Sequence, residues 1–144
     1  MKILVLQGPN LNLLGVKSAQ QGERLTLDKL NKALRKHVRN TAVELRILQT
    51  HKEYIALNFI QRNRNQADGL LLIPMSWARY NWTLEETLSL VRLPTAIVYF
   101  DDPYDFGTSE KNSILSNVAT RSITGPPMEA CINALDHIID HCSN

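Results

Sequence analysis

Two asparagines at one end of an apolar run are the first residues of this chain suited to chemistry. Asn10 and Asn12 stand in "QGPNLNLLG" (residues 7–15), directly after Lys2-Ile3-Leu4-Val5-Leu6. Side-chain amides in a loop beyond a buried strand can fix the oxygens of a small substrate. Asn is also a turn residue that tolerates left-handed backbone. The reading is mixed: Asn10 lines a pocket and Asn12 is structural. Arg79 offers a planar guanidinium for a carboxylate or a polarised carbonyl, against the ordinary fate of an exposed loop charge. Tyr99 offers a phenol for acid–base work, which needs a lowered pKa that Arg79 or Lys17 could supply. Packing at a strand end explains Tyr99 equally well. Asp101, Asp102 and Tyr80 adjoin these positions as substrate-binding candidates.

Alternating strand and helix patterns must position these residues. Lys2–Leu6 is a continuous apolar run, and Thr26–Val38 places Leu27, Leu30, Leu34 and Val38 at helical spacing. Val43, Leu45 and Ile47 then alternate as a strand does, and Glu53–Arg64 carries Ile55, Phe59 and Ile60 on a helical face. Gly69–Pro74 reads as a buried strand, Trp82 to Val91 as a helix and Thr95–Phe100 as a fourth strand. Val118–Ile123 is the expected fifth strand, and Pro126-Pro127 opens a last helix carrying Cys131, Leu135 and Ile138. This alternation implies a doubly wound α/β domain with a five-stranded parallel sheet between two helical layers. Ligands in such folds bind beyond the carboxyl ends of the strands, where strand order reverses. The segments after strands one, three and four are expected to converge on one pocket.

Composition narrows the partners. The 144 residues suit one domain, and the formal net charge of +2 is spread over interspersed Lys, Arg and acids, which leaves no concentrated footprint for nucleic acid. Cys131 and Cys142 are eleven residues apart in one helical stretch, about 16 Å along the axis and too far for a disulfide. No signal-peptide pattern or apolar run of bilayer length is present, so a cytoplasmic protein without a membrane segment is expected. No His/Cys/Asp/Glu cluster has metal-ligand spacing and no Gly-rich phosphate loop occurs, so neither metal nor cofactor is expected. His37, His137 and His141 fall on helices and read as solvated, and His51 follows strand two, off the reversal point. Trp77, Tyr80 and Trp82 surround Arg79 and read as core, as a subunit interface or as an aromatic wall for a flatter ligand.

The chain resembles the type II dehydroquinases. "GPNLNLLG" after the first strand is similar to their opening signature, and "LTLDKL" (25–30), "ADGLLLIP", "LPTAIVYF" and "SILS" (113–116) resemble later family segments. The resemblance implies a flavodoxin-like fold and assembly as trimers that associate into dodecamers. It also implies dehydration of 3-dehydroquinate through an enolate, with a loop Tyr as base, an Arg holding that Tyr ionised and a His protonating the leaving hydroxyl.

This sequence departs at those points. "VKSAQQGERL" (16–25) has no Tyr or His, Gly22 stands where the base belongs, and Lys17 replaces the Arg without its planar fork. The family's Asn-Pro-Gly after strand three is Ile73-Pro74-Met75, followed by Arg79 in place of His. Tyr99 occupies the acid position, Asp101 the place of a carboxylate-gripping Ser, and Phe106 that of the lid Arg. Glu86 stands where the family has an Asp that reaches a neighbouring subunit's site. The leading expectation is a diverged member with lyase or dehydratase chemistry on a different small substrate: Tyr99, Arg79 and Lys17 would be catalytic, with Asn10, Asp101, Asp102, Tyr80 and Glu86 binding. The alternatives are an inactive oligomeric scaffold or metabolite-binding protein, and a 3-dehydroquinate dehydratase with substitute residues. An open pocket favours catalysis, and a pocket filled by Ile73, Met75, Phe106 or Trp77 favours the scaffold.

Overall fold

The computed structural model describes residues 1–143. Five parallel strands form one sheet in the order β2-β1-β3-β4-β5: β1 is Lys2–Gln7, β2 Glu44–Gln49, β3 Gly69–Ile73, β4 Thr95–Phe100 and β5 Arg121–Gly125. Strand order reverses between β1 and β3, the topological switch point of flavodoxin-like sheets. The expected α/β architecture is therefore the observed one.

Burial follows strand position. β1, β3 and β4 lie inside the sheet and are buried along nearly their whole length, whereas β2 and β5 form the edges and alternate with exposed residues. Ile3 and Val5 point into one core layer with Leu30, Leu34, Ala134, Leu135 and Ile138. Those partners come from α2 (Leu27–His37) and α6 (Pro127–Cys142). Leu4 and Leu6 point into the opposite layer with Ala56, Ile60, Leu84 and Leu88, from α3 (Glu53–Asn63) and α5 (Trp82–Val91). One apolar strand thus serves two cores because its side chains alternate in direction.

Local chemistry sets the helix starts. Thr26 Oγ1 accepts the Lys29 amide at 3.2 Å to open α2, Asn81 Oδ1 accepts the Leu84 amide at 3.0 Å to open α5, and Pro127 begins α6. Three expectations need correction. Residues 16–20, the first part of the segment 16–25 expected as loop, belong to a helix, α1 (Leu14–Gln20), anchored by buried Leu14 and Ser18. The fifth strand begins at Arg121, because Ser116–Val118 closes into a 3-10 turn first. His37 is not simply solvated, since its Nε2 lies 2.6 Å from Asp136 Oδ1 and links α2 to α6. Trp77 is core, 1% exposed, on the short helix α4 (Trp77–Tyr80). Cys131 and Cys142 are free thiols. Among the described residues no helix is long and apolar enough to cross a membrane, and no cluster of three or more His, Cys, Asp and Glu could hold a metal ion.

Candidate active site

The loop after β1 is fixed by backbone approach. Gly8 donates its amide to the Ile73 carbonyl at 2.8 Å, and its own carbonyl accepts Gln49 Nε2 at 3.0 Å. A Cβ on Gly8 would stand 2.3 Å from the Pro74 carbonyl oxygen, so only glycine permits the loops after β1 and β3 to touch. Asn12 Oδ1 sits 3.5 Å from the same Gln49 amide, in keeping with a structural role. Asn10 has φ 71, starts a 3-10 turn without a side-chain cap and is exposed. Left-handed backbone explains the choice of Asn there. Sequence reasoning missed Gln7, the last residue of β1. It is fully buried, donates Nε2 to Asn31 Oδ1 at 2.7 Å and leaves Oε1 without a partner. A polar residue ending an apolar strand was its available signal.

Beyond α1 the segment that could have been a mobile loop is pinned. Ser18 Oγ accepts the Leu25 amide at 2.7 Å, the Ser18 carbonyl accepts the Glu23 amide at 2.9 Å, and Lys29 Nζ donates to the Arg24 carbonyl at 2.7 Å. Lys17 is half-buried in the last turn of α1.

After β3, Met75 adopts φ 55 and is 6% exposed. Left-handed backbone is glycine's territory, and any residue carrying a Cβ is strained there. Arg79 and Tyr80 follow on α4 and are both exposed. The Arg79 guanidinium lies 3.9 Å from where a Cβ on Gly107 would sit, which places it against the segment after β4.

Near the end of β4, Tyr99 is 3% exposed and donates its hydroxyl to Ser113 Oγ at 2.6 Å. Burial pushes its phenol above the ordinary tyrosine range; hydrogen bonding with Ser113 and Ser116 opposes the shift, and the Glu110 charge adds to it. The lowered pKa required for a tyrosine base is thus reversed. Asp101 and Asp102 are exposed. Tyr104 donates its hydroxyl to Glu23 Oε1 at 2.9 Å, a contact sequence reasoning missed. Phe106 has φ 51 and packs on the core layer facing α2 and α6. Thr108 is buried with its Oγ1 unpartnered.

Between the carboxyl ends of β3 and β4 a cavity of about 10 Å³ remains, lined by Ile73, Met75, Val98, Tyr99, Phe100, Asp105 and Thr108. Of the expected site residues only Tyr99 lines it; Asn10, Lys17, Arg79, Tyr80, Glu86, Asp101 and Asp102 do not. The larger concavities lie elsewhere. A groove of about 450 Å³ is lined by Gln61, Arg64, Thr87 and Leu90, and one of about 390 Å³ by Arg121, Asn133, Asp136 and His137. Both are open surface furrows between helices or at the sheet edge, and neither is lined by residues from the carboxyl ends of the strands.

Comparison with known proteins decides the family. The "Dehydroquinase class II" family model matches residues 1–139. The chain belongs to the class II dehydroquinase family. A relative named 3-dehydroquinate dehydratase in Halothermothrix orenii is 30% identical over 139 residues, 96% of this chain and 94% of that protein. Another of that name in Pelotomaculum thermopropionicum is 30% identical over 135 residues, 94% of each chain. The crystal structure of a type II dehydroquinase from Butyrivibrio crossotus superposes with a TM-score of 0.84 at 23% identity, covering 96% of this chain and 97% of that one. At that identity the superposition speaks for the fold alone. Within the class II dehydroquinase fold, this chain has bulky residues packed where the three strand-end loops meet.

Proposed function

We propose that this chain keeps the class II dehydroquinase scaffold without dehydration chemistry, serving as a non-catalytic, self-associating family member. The observation that carries the reading is the cavity of about 10 Å³ at the carboxyl ends of β3 and β4. Small-molecule sites commonly measure roughly 300–1,000 Å³. Ile73 and Met75 occupy the place where the resemblance puts an amide and a glycine, and both line what is left. Burial raises the pKa of the Tyr99 phenol, which lines the cavity and donates to Ser113 Oγ. Deletion of one acid or base typically costs roughly 10²- to 10⁴-fold in rate. Here neither a loop Tyr nor the strand-four His is present. Self-association is supported by α5, whose exposed Trp82 and Leu90 flank Glu86 at four-residue steps along one face.

A second reading is favoured by the relatives, which carry the name 3-dehydroquinate dehydratase over 94% or more of this chain. Under it the protein is a cytoplasmic 3-dehydroquinate dehydratase whose strand-end loops open around the substrate, with Tyr99, Arg79 and Lys17 as substitute groups. The expectation of a rebuilt site for some other substrate draws support from neither the cavity nor the relatives' names. Turnover of 3-dehydroquinate by the purified protein, followed by absorbance of the conjugated enone product beside an active family enzyme, separates the readings. No turnover is expected. A rate near the control establishes the dehydratase, and loss of that rate in Tyr99→Phe or Arg79→Ala then locates the substitute groups.

A further inference from the structure

The pairing of β3 with β4 stops short of the strand ends. Cα partners run from Leu70–Thr95 to Leu72–Ile97 and no further, although β3 reaches Ile73 and β4 reaches Phe100. The sequence explains the stop. Leu70 donates its amide to the Pro94 carbonyl at 2.8 Å, so by the two-residue period of a parallel ladder Ala96 and Val98 also turn their carbonyls towards β3. The donor due at Val98 is the amide of residue 74, and Pro74 has no N–H. The carbonyl of buried Val98 therefore lacks its ladder bond. Thr108, 4% exposed, borders the same gap: its amide bonds the Asp105 carbonyl at 2.9 Å, and its Oγ1 has no protein partner. Val98, Asp105 and Thr108 line the cavity of about 10 Å³ together with Ile73 and Met75.

We propose that this cavity binds one ordered water, which donates to the Val98 carbonyl in place of the amide that Pro74 lacks and hydrogen-bonds Thr108 Oγ1. Size and chemistry both select water. A cavity of roughly 10–15 Å³ holds a single water and nothing larger, and about two to four polar partners keep it there. The Val98 carbonyl and the Thr108 hydroxyl are two such partners, and Asp105 brings further oxygens to the lining. A buried carbonyl or hydroxyl left unpaired is costly, and one water removes both penalties. The bound water also ties the turn at Thr108 to the end of β4, a link that no direct side-chain bond supplies. The inference rests on the closed site proposed above and assigns its remaining space to solvent rather than to a metabolite.

Crystal structures of the whole protein and of Thr108→Val, at a resolution that shows ordered solvent, test the site. The wild type is expected to show one solvent peak within hydrogen-bond distance of Thr108 Oγ1 and the Val98 carbonyl oxygen. Valine keeps the shape of threonine and removes the hydroxyl, so the variant is expected to lose that peak. Urea denaturation gives a second readout whose sign discriminates. Where a water satisfies the hydroxyl, valine breaks the bridge and the midpoint falls; where the hydroxyl is orphaned in a dry void, valine relieves it and the midpoint rises. A dry cavity in the wild type, a peak that survives in Thr108→Val, or a midpoint that holds or rises in that variant overturns the proposal. Turnover of 3-dehydroquinate, measured on the same samples, bears on the proposed function. The solvent peak and the midpoint alone bear on the water.

Discussion

Met75 combines a buried side chain with a backbone that suits glycine, and the two effects oppose each other in a way that mutation can separate. The residue is 6% exposed and packs in the core layer with Leu11, Val98, Phe100 and Tyr104. Truncating a buried Met to Ala costs about 2–5 kcal/mol in lost burial and residual cavity. Ala retains a Cβ, so it keeps the left-handed penalty of roughly 1–2 kcal/mol that φ 55 imposes. Gly removes that penalty but adds roughly 0.4–1 kcal/mol of unfolded-state entropy relative to Ala. Met75→Gly and Met75→Ala are both expected to lower stability, with the glycine variant the more stable of the two by about 1 kcal/mol. At ordinary positions the order is the reverse. Urea denaturation of the three proteins, with midpoints compared at a common slope, measures the difference. A glycine variant less stable than the alanine variant would refute the left-handed strain at Met75. It would also undercut the view that this side chain was fitted onto a glycine backbone to fill the site.

Gly8→Ala is expected to destabilise by about 3 kcal/mol, because the new methyl would lie 2.3 Å from a backbone oxygen rather than a movable side chain; thermal melting checks this. Asn81→Ala should cost about 1 kcal/mol by loss of the α5 cap, read from the urea midpoint. Tyr99 has a raised folded-state pKa, so the folded state holds its proton more tightly than the unfolded chain. Stability from this group is complete below the ordinary tyrosine value of 10.0 and is lost as pH rises through it towards the folded value. Tyr99→Phe should remove that alkaline decline while lowering stability at neutral pH through loss of the Ser113 bond. Urea midpoints on either side of the ordinary value decide it. Trp82→Glu with Leu90→Glu should reduce the sedimentation mass if the exposed α5 face carries self-association, and an unchanged mass would clear that face.

The sheet and its helices were legible in the sequence because their determinants are local and periodic. Lys2–Leu6 reads as central from its unbroken apolar run, and Pro127 and Thr26 mark helix starts by chemistry that acts within one turn. The fifth strand was displaced because Val118 and Ala119 are apolar enough to continue it, while the 3-10 turn over Ser116–Val118 uses them to cover the α5 side of the sheet. The lack of Tyr and His in residues 16–25 was legible as well, since it needs no coordinates. What the sequence concealed was where the replacements point. Arg79 follows β3 and Tyr99 stands near the end of β4, yet one is exposed and the other is turned into the core towards Ser113. Side-chain direction at a strand end depends on the backbone of the next few residues, and at Met75 and Phe106 that backbone is left-handed, against the preference of the residue type. Two bulky residues, Met75 and Phe106, hold conformations that favour glycine in the segments after β3 and β4. Retained backbone geometry with altered side chains accounts for both findings at once: a fold recognisable along the chain and a cavity of only about 10 Å³ at the ends of β3 and β4.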